Sequence, residues 1–120
     1  MLNKFVIVLS FFAASFTHAS CAEKVGLSDY LLIQCYKEEN KPLESKLMRT
    51  YQRLLAQSVK EERNSLLISQ RLWGEYKSID CKSITDPANC ESTKELLQIK
   101  CINEKLKARE LELKSRLIKR

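Results

Sequence analysis

The sequence predicts an all-α fold: a small disulfide-stabilised helical bundle with a short N-terminal helix, a helical hairpin and a long C-terminal helix. Chain breakers are scarce, with two glycines and two prolines in 120 residues, and an abundance of Leu, Glu, Lys and Arg favours helix over strand. Apolar residues recur three and four positions apart, the helical period. Five cysteines, at 21, 35, 81, 90 and 101, follow an apolar N-terminus, and a small exported chain with several cysteines reads as disulfide-bonded.

Residues 1–19 have the layout of a secretory signal peptide. Lys4 supplies the positive start, Phe5 to Ala14 the apolar run, and Thr17 and Ala19 the small residues before the cut. Cleavage after Ala19 leaves residues 20–120 as one helical domain. The rival is a lipoprotein cut before Cys21, which would acylate that thiol; His18 stands where such a site takes an aliphatic residue. The expected location is the periplasm or the extracellular space. Either cut removes His18, the sole histidine. The remaining chain then has no imidazole base, no His-activated nucleophile and no His-ligated metal.

Four helices follow in order. Ser28 or Asp29 caps a brief helix through Leu31, Leu32 and Cys35. Asn40 and Pro42 read as the cap and first turn of a second helix, which carries Leu43, Leu47, Tyr51, Leu54 and Leu55 on one face to about Gln57. Ser58-Val59-Lys60-Glu61 fits a capping box and starts the third. That helix holds Leu66, Trp73 and Tyr76 on one flank, with Ile68, Leu72 and Ile79 beside them, as one broad apolar stripe. A single helix from Pro42 to Asp80 is the alternative. The stretch from Lys82 to Cys90 is a loop with Asp86-Pro87 turn chemistry. Ser92-Thr93-Lys94-Glu95, a second capping box, opens a fourth helix to about Ile118. Its seam is Ile99, Ile102, Leu106, Arg109, Leu113 and Leu117, close to coiled-coil spacing. Arg109 is the odd member. Its stem packs and its head snorkels or pairs with a carboxylate, or else its guanidinium is held to bind an anion.

Charge and motifs exclude several classes. Loss of Lys4 lowers the net charge from +6 to +5. Acids and bases are interspersed, and the basic tail from Lys114 lacks stacking aromatics, so nucleic acid is not an expected partner. There is no Gly-rich phosphate loop and no paired carboxylates in an apolar setting. No CxxC pair marks a zinc site. No enzyme activity, metal or cofactor is expected; thiol chemistry at Cys90 is the least implausible catalytic version.

Cys21, Cys35 ahead of a helix, Leu47-x-x-x-Tyr51, Leu66-x-x-x-Gln70-x-x-Trp73, Cys81, and Cys101 with Arg109 eight residues on together resemble the LprI-type lysozyme-inhibitor-like domain. The resemblance covers nearly the whole chain after residue 20. This chain departs from it in Lys77-Ser78 after the tryptophan, in Glu44, in Met48, in Gly74 and in the extra Cys90. It implies a small exported helical domain with four cysteines in two bridges. Hairpin geometry favours Cys35–Cys81 with Cys21–Cys101, leaving Cys90 over; the alternative is Cys81–Cys90 with Cys35–Cys101. Leu47, Tyr51, Leu66, Gln70, Trp73 and Arg109 are the expected structural core.

The function that the resemblance implies is binding of a protein partner, a lysozyme-like muramidase, with inhibition by contact. Animal lysozymes are basic, so a chain of +5 meets them with like-charge repulsion. A local acidic patch at Glu38-Glu39 or Glu91 to Glu95 would offset this. The rigid-looking loop offers Asp86 and Asn89 as partner contacts. The other reading is an interaction module whose basic face contacts anionic lipid or polymer of the cell envelope. The oligomeric state stays open.

Overall fold

The computed structural model describes residues 20–84 and 89–118. The signal-peptide segment and Asp86 lie outside them. The fold is all-α, and three long helices carry it: α1 (Asp29–Gln57), α2 (Lys60–Lys82) and α3 (Glu91–Ile118), after a 3-10 turn at Cys21–Glu23. Contacts along the helices define the directions. Thr93 meets Asp29, Asn103 meets Tyr36 and Glu110 meets Thr50, so α1 and α3 run parallel. Arg109 meets Ser69 and Gln70 while Cys81 meets Cys101, so α2 runs antiparallel to α3.

The lead-in is tied down locally. Gly26 has φ 80°, a left-handed conformation open to glycine at little cost, and there the chain turns into α1. Ser28 caps α1 by accepting from the Leu31 N–H. The Cys21 N–H donates to Glu39 Oε1 at 2.8 Å, and Cys21 is bonded to Cys35.

The two expected N-terminal helices are one. Helix α1 passes straight through Pro42. Proline removes the N–H that Glu38 O would accept and crowds that carbonyl, at a cost of about 3 kcal/mol. The ring faces solvent, and the turn before it is clamped to α3. Asn103, 1% exposed, donates to Tyr36 O at 2.8 Å and accepts from Asn40 Nδ2 at 2.9 Å. Asn40 therefore reaches across to α3 and caps nothing. The break before α2 falls where expected, with different chemistry. Ser58 ends α1, its hydroxyl donating to Leu54 O, and Val59 holds the cap position of α2. Helix α3 starts one residue before Ser92, and Cys90 O accepts from the Lys94 N–H.

The core is Leu47 and Leu54 of α1, Leu66 of α2, and Leu106 and Leu113 of α3, with Tyr51, Trp73, Ile102 and Leu117 packed against them. Helix α3 lies between the other two. Its buried arc is therefore wider than one seam and includes Asn103, Arg109 and Glu110. Glu110 is satisfied by Thr50 Oγ1 at 3.0 Å, with Lys46 Nζ at 3.9 Å, as a buried carboxylate must be.

The disulfide pairing differs from both expected versions. Cys21 is bonded to Cys35, and Cys81 to Cys101. The four sulfurs do gather at one end of the bundle, where α1 begins and α2 ends. Helix α2, however, leans on α3 and stands off α1, so Cys81 finds Cys101 and not Cys35.

Candidate functional site

Two surfaces of α2 follow from this packing. Helix α2 is apolar on more faces than its neighbours cover. The Leu66, Gln70, Trp73 and Cys81 side turns to the bundle. Ile68, Leu72, Tyr76 and Ile79, spaced four, four and three apart, are 51–71% exposed. The broad stripe read from the sequence thus splits: Leu66 and Trp73 go inward, while Ile68, Leu72, Tyr76 and Ile79 face solvent. A helix with apolar residues on opposite sides has an unburied face, and contiguous exposed apolar surface marks an interaction site.

Arg109 fixes α2 from within. At 6% exposed it donates through Nε to Gln70 Oε1 at 3.0 Å and through a terminal nitrogen to Ser69 Oγ at 3.2 Å. Its other terminal nitrogen pairs with Glu112 at 3.1 Å, and its guanidinium stands 5.9 Å from the Trp73 ring centroid. The guanidinium is spent on holding helices together and offers no open anion site. Further along, Lys105 bonds Asp80 at 2.7 Å and stands 4.5 Å from the Tyr76 ring centroid. The Asp80 hydrogen bond is the main cause that raises the Lys105 pKa above its ordinary value.

The second surface is a groove of about 290 Å³ where α2 diverges from α1. Leu47 and Leu106 form its base, Met48 and Tyr51 line the α1 side, and Gln70 and Trp73 line the α2 side. Glu44 and Lys77 stand at its margins. Leu47, Tyr51, Gln70 and Trp73, all read from the sequence as structural core, therefore converge on one concavity with Arg109 behind it.

The remaining candidates sit elsewhere. Glu38 pairs with Lys41, Glu95 pairs with Lys37, and Glu39 accepts from the Cys21 N–H, so each expected acidic patch has one carboxylate offset by a lysine. Asn89 is exposed, with φ 53°. Cys90 is in neither bridge. Its sulfur lies 3.2 Å from Ser92 Oγ, and that hydrogen bond is the first cause lowering its pKa. Among the described residues, no helix is long and apolar enough to cross a membrane, and no cluster of three His, Cys, Asp or Glu could hold a metal.

Sequence reasoning missed Asn103, Glu110 and Thr50 as buried polar links. Their signal is present: Asn103 and Glu110 each follow a seam residue, on the side of α3 that meets α1.

No curated protein and no solved structure matches the chain. A family model described as lysozyme inhibitor LprI matches residues 21–113. That span takes in both disulfides, the Arg109 clamp, the groove and the exposed face of α2. The chain belongs to the LprI lysozyme inhibitor family.

Proposed function

We propose that this is an exported binding protein that docks on a lysozyme-like muramidase and inhibits it by contact, without chemistry of its own. Residues 1–19 direct export and residues 20–120 form the binding domain. Two disulfides suit an oxidising compartment. The observation that carries the reading is the outward face of α2. Ile68, Leu72, Tyr76 and Ile79 remain wet on a helix whose other side is fastened by Arg109 and by Cys81–Cys101. A rigid apolar face loses little entropy on docking. It also needs no charge attraction, which removes the difficulty of two basic partners. Asp86 and Asn89, in the connection that follows Ile79, are proposed to add contacts to the partner's cleft.

The alternative, a basic face laid on anionic lipid or polymer, has less support. Lys37, Lys41, Lys105 and Arg116 are each paired with a carboxylate, which leaves the positive excess scattered.

The test is titration of muramidases with the wild-type chain and with L72D/I79D. Both positions are at least half exposed, so the melting temperature is expected to stay within a few degrees of wild type. Affinity is expected to fall about 30-fold or more, the loss of an interface anchor. Unchanged affinity in the double variant would remove α2 from the contact. Undiminished binding by D86A/N89A would remove the loop.

A further inference from the structure

We infer that the outward face of α2 pairs with the same face of a second copy of this chain, in an antiparallel two-fold dimer. The pairing uses the surface proposed above for muramidase docking but does not depend on that docking. Ile68, Leu72 and Ile79 form the centre of the face, and all three are at least half exposed. Tyr76 borders them on one side, where Lys105 of α3 stands 4.5 Å from its ring centroid. On the other border lie Arg71 and Glu75, with side chains 66% and 57% exposed.

The order of these residues selects the occupant. Ile68, Leu72, Glu75 and Ile79 are spaced four, three and four apart, the step pattern of a coiled-coil seam, and the spacing reads the same from either end. A two-fold axis passing between positions 73 and 74 therefore sets Ile68 against Ile79 of the second copy and brings the two Leu72 side chains together. A two-fold contact joins the same patch of each copy, so the Arg71–Glu75 border meets itself with its direction reversed. Arg71 then stands level with Glu75 of the second copy, and Glu75 with Arg71 of the second copy. Within one copy these two side chains already pair at 3.5 Å. The dimer joins the two pairs into a ring of four alternating charges and strands none of them. A parallel copy would set each charge level with its own kind and lose the match. The ridge from Ile68 to Ile79 is about 16 Å long, and one helix from each copy buries less than the roughly 1,200 Å² of a standard interface. The dimer is accordingly weak, with Kd about 10 µM. Dilution leaves the face open to another partner, and crowding covers it.

The test is sedimentation equilibrium of the chain at concentrations spanning that Kd, in 0.15 M salt, where repulsion between two positive copies is screened beyond about 8 Å. A monomer–dimer equilibrium is expected for the wild type, and a monomer for L72D/I79D. R71E alone and E75R alone are each expected to weaken the dimer at least about tenfold, because each turns the ring of charges to a single sign. An equal mixture of the two variants is expected to regain wild-type association, since the acidic copy then meets the basic one. Both positions are well exposed, so the variants fold, and melting temperature verifies this. C90S is expected to associate like the wild type, which separates this contact from a disulfide between chains. A monomer at every concentration would overturn the inference. So would a dimer lost in C90S, or a mixture of R71E and E75R that associates no more tightly than either variant alone. A chain that binds muramidase without pairing overturns the dimer and leaves the docking reading intact; a chain that pairs without binding muramidase does the reverse.

Discussion

Reduction of the two disulfides is expected to unfold the protein at moderate temperature. Cys21–Cys35 spans a sequence separation of 14 and Cys81–Cys101 one of 20. Loops of that size restrict the unfolded chain by about 3 kcal/mol each. Domains this small have total stabilities of roughly 5–15 kcal/mol, and here the main apolar cluster among the described residues is built on five buried leucines. Helix α2 depends most on its bridge, since it touches the bundle along one flank. Thermal unfolding followed by circular dichroism, with and without a phosphine reductant, is the measurement. A fall in melting temperature of more than about 20 °C is expected. A curve that reductant leaves in place would show that helix packing alone suffices.

Arg109→Ala is expected to destabilise the fold by about 2–4 kcal/mol. The substitution removes hydrogen bonds from a charged donor to Gln70 and Ser69, each worth roughly 1.5–3 kcal/mol before the regained hydration of the arginine is counted. It also opens a cavity beneath Trp73. Glu112 does not become a stranded charge, because it is half exposed and still bonds Arg116, which keeps the cost below that of a fully broken buried pair. Arg109→Lys is expected to recover little, since an ammonium cannot reach Ser69, Gln70 and Glu112 together in the fork geometry of a guanidinium. Denaturant titration of the three proteins measures this, with Trp73 emission as the local reporter. Arg109→Ala equal to wild type, or Arg109→Lys fully restoring it, would place the helix clamp elsewhere.

The bundle was legible where one residue's surroundings come from its own helix. The ridge of Leu47 and Leu54, the seam of Leu106 and Leu113 and the break near Ser58 follow from spacing and local turn chemistry. Pro42 misled because its effect inside a helix depends on what holds the flanking turn, and the Asn40–Asn103–Tyr36 link comes from a segment 63 residues away. The disulfide pairing was hidden for a similar reason. Gathering four cysteines at one end needs only helix lengths, but choosing partners requires knowing that α2 sits against α3. The same fact decides the candidate sites. Leu66 and Ile68 are equally apolar in sequence, yet one is buried and the other faces solvent, because α3 covers a narrower strip of α2 than the apolar pattern spans. The groove could not be seen in sequence either, since it is the gap left where α1 and α2 do not close.

Everything assigned to α2, its outward face and the groove beside it, requires that α3 and not α1 hold that helix. Proteolysis of the unreduced protein followed by mass spectrometry of the cross-linked peptides tests this most directly. The expected result is one linked pair containing Cys81 and Cys101 and another containing Cys21 and Cys35. A peptide pair joining Cys35 to Cys81 would place α2 against α1, close the groove and contradict the arrangement.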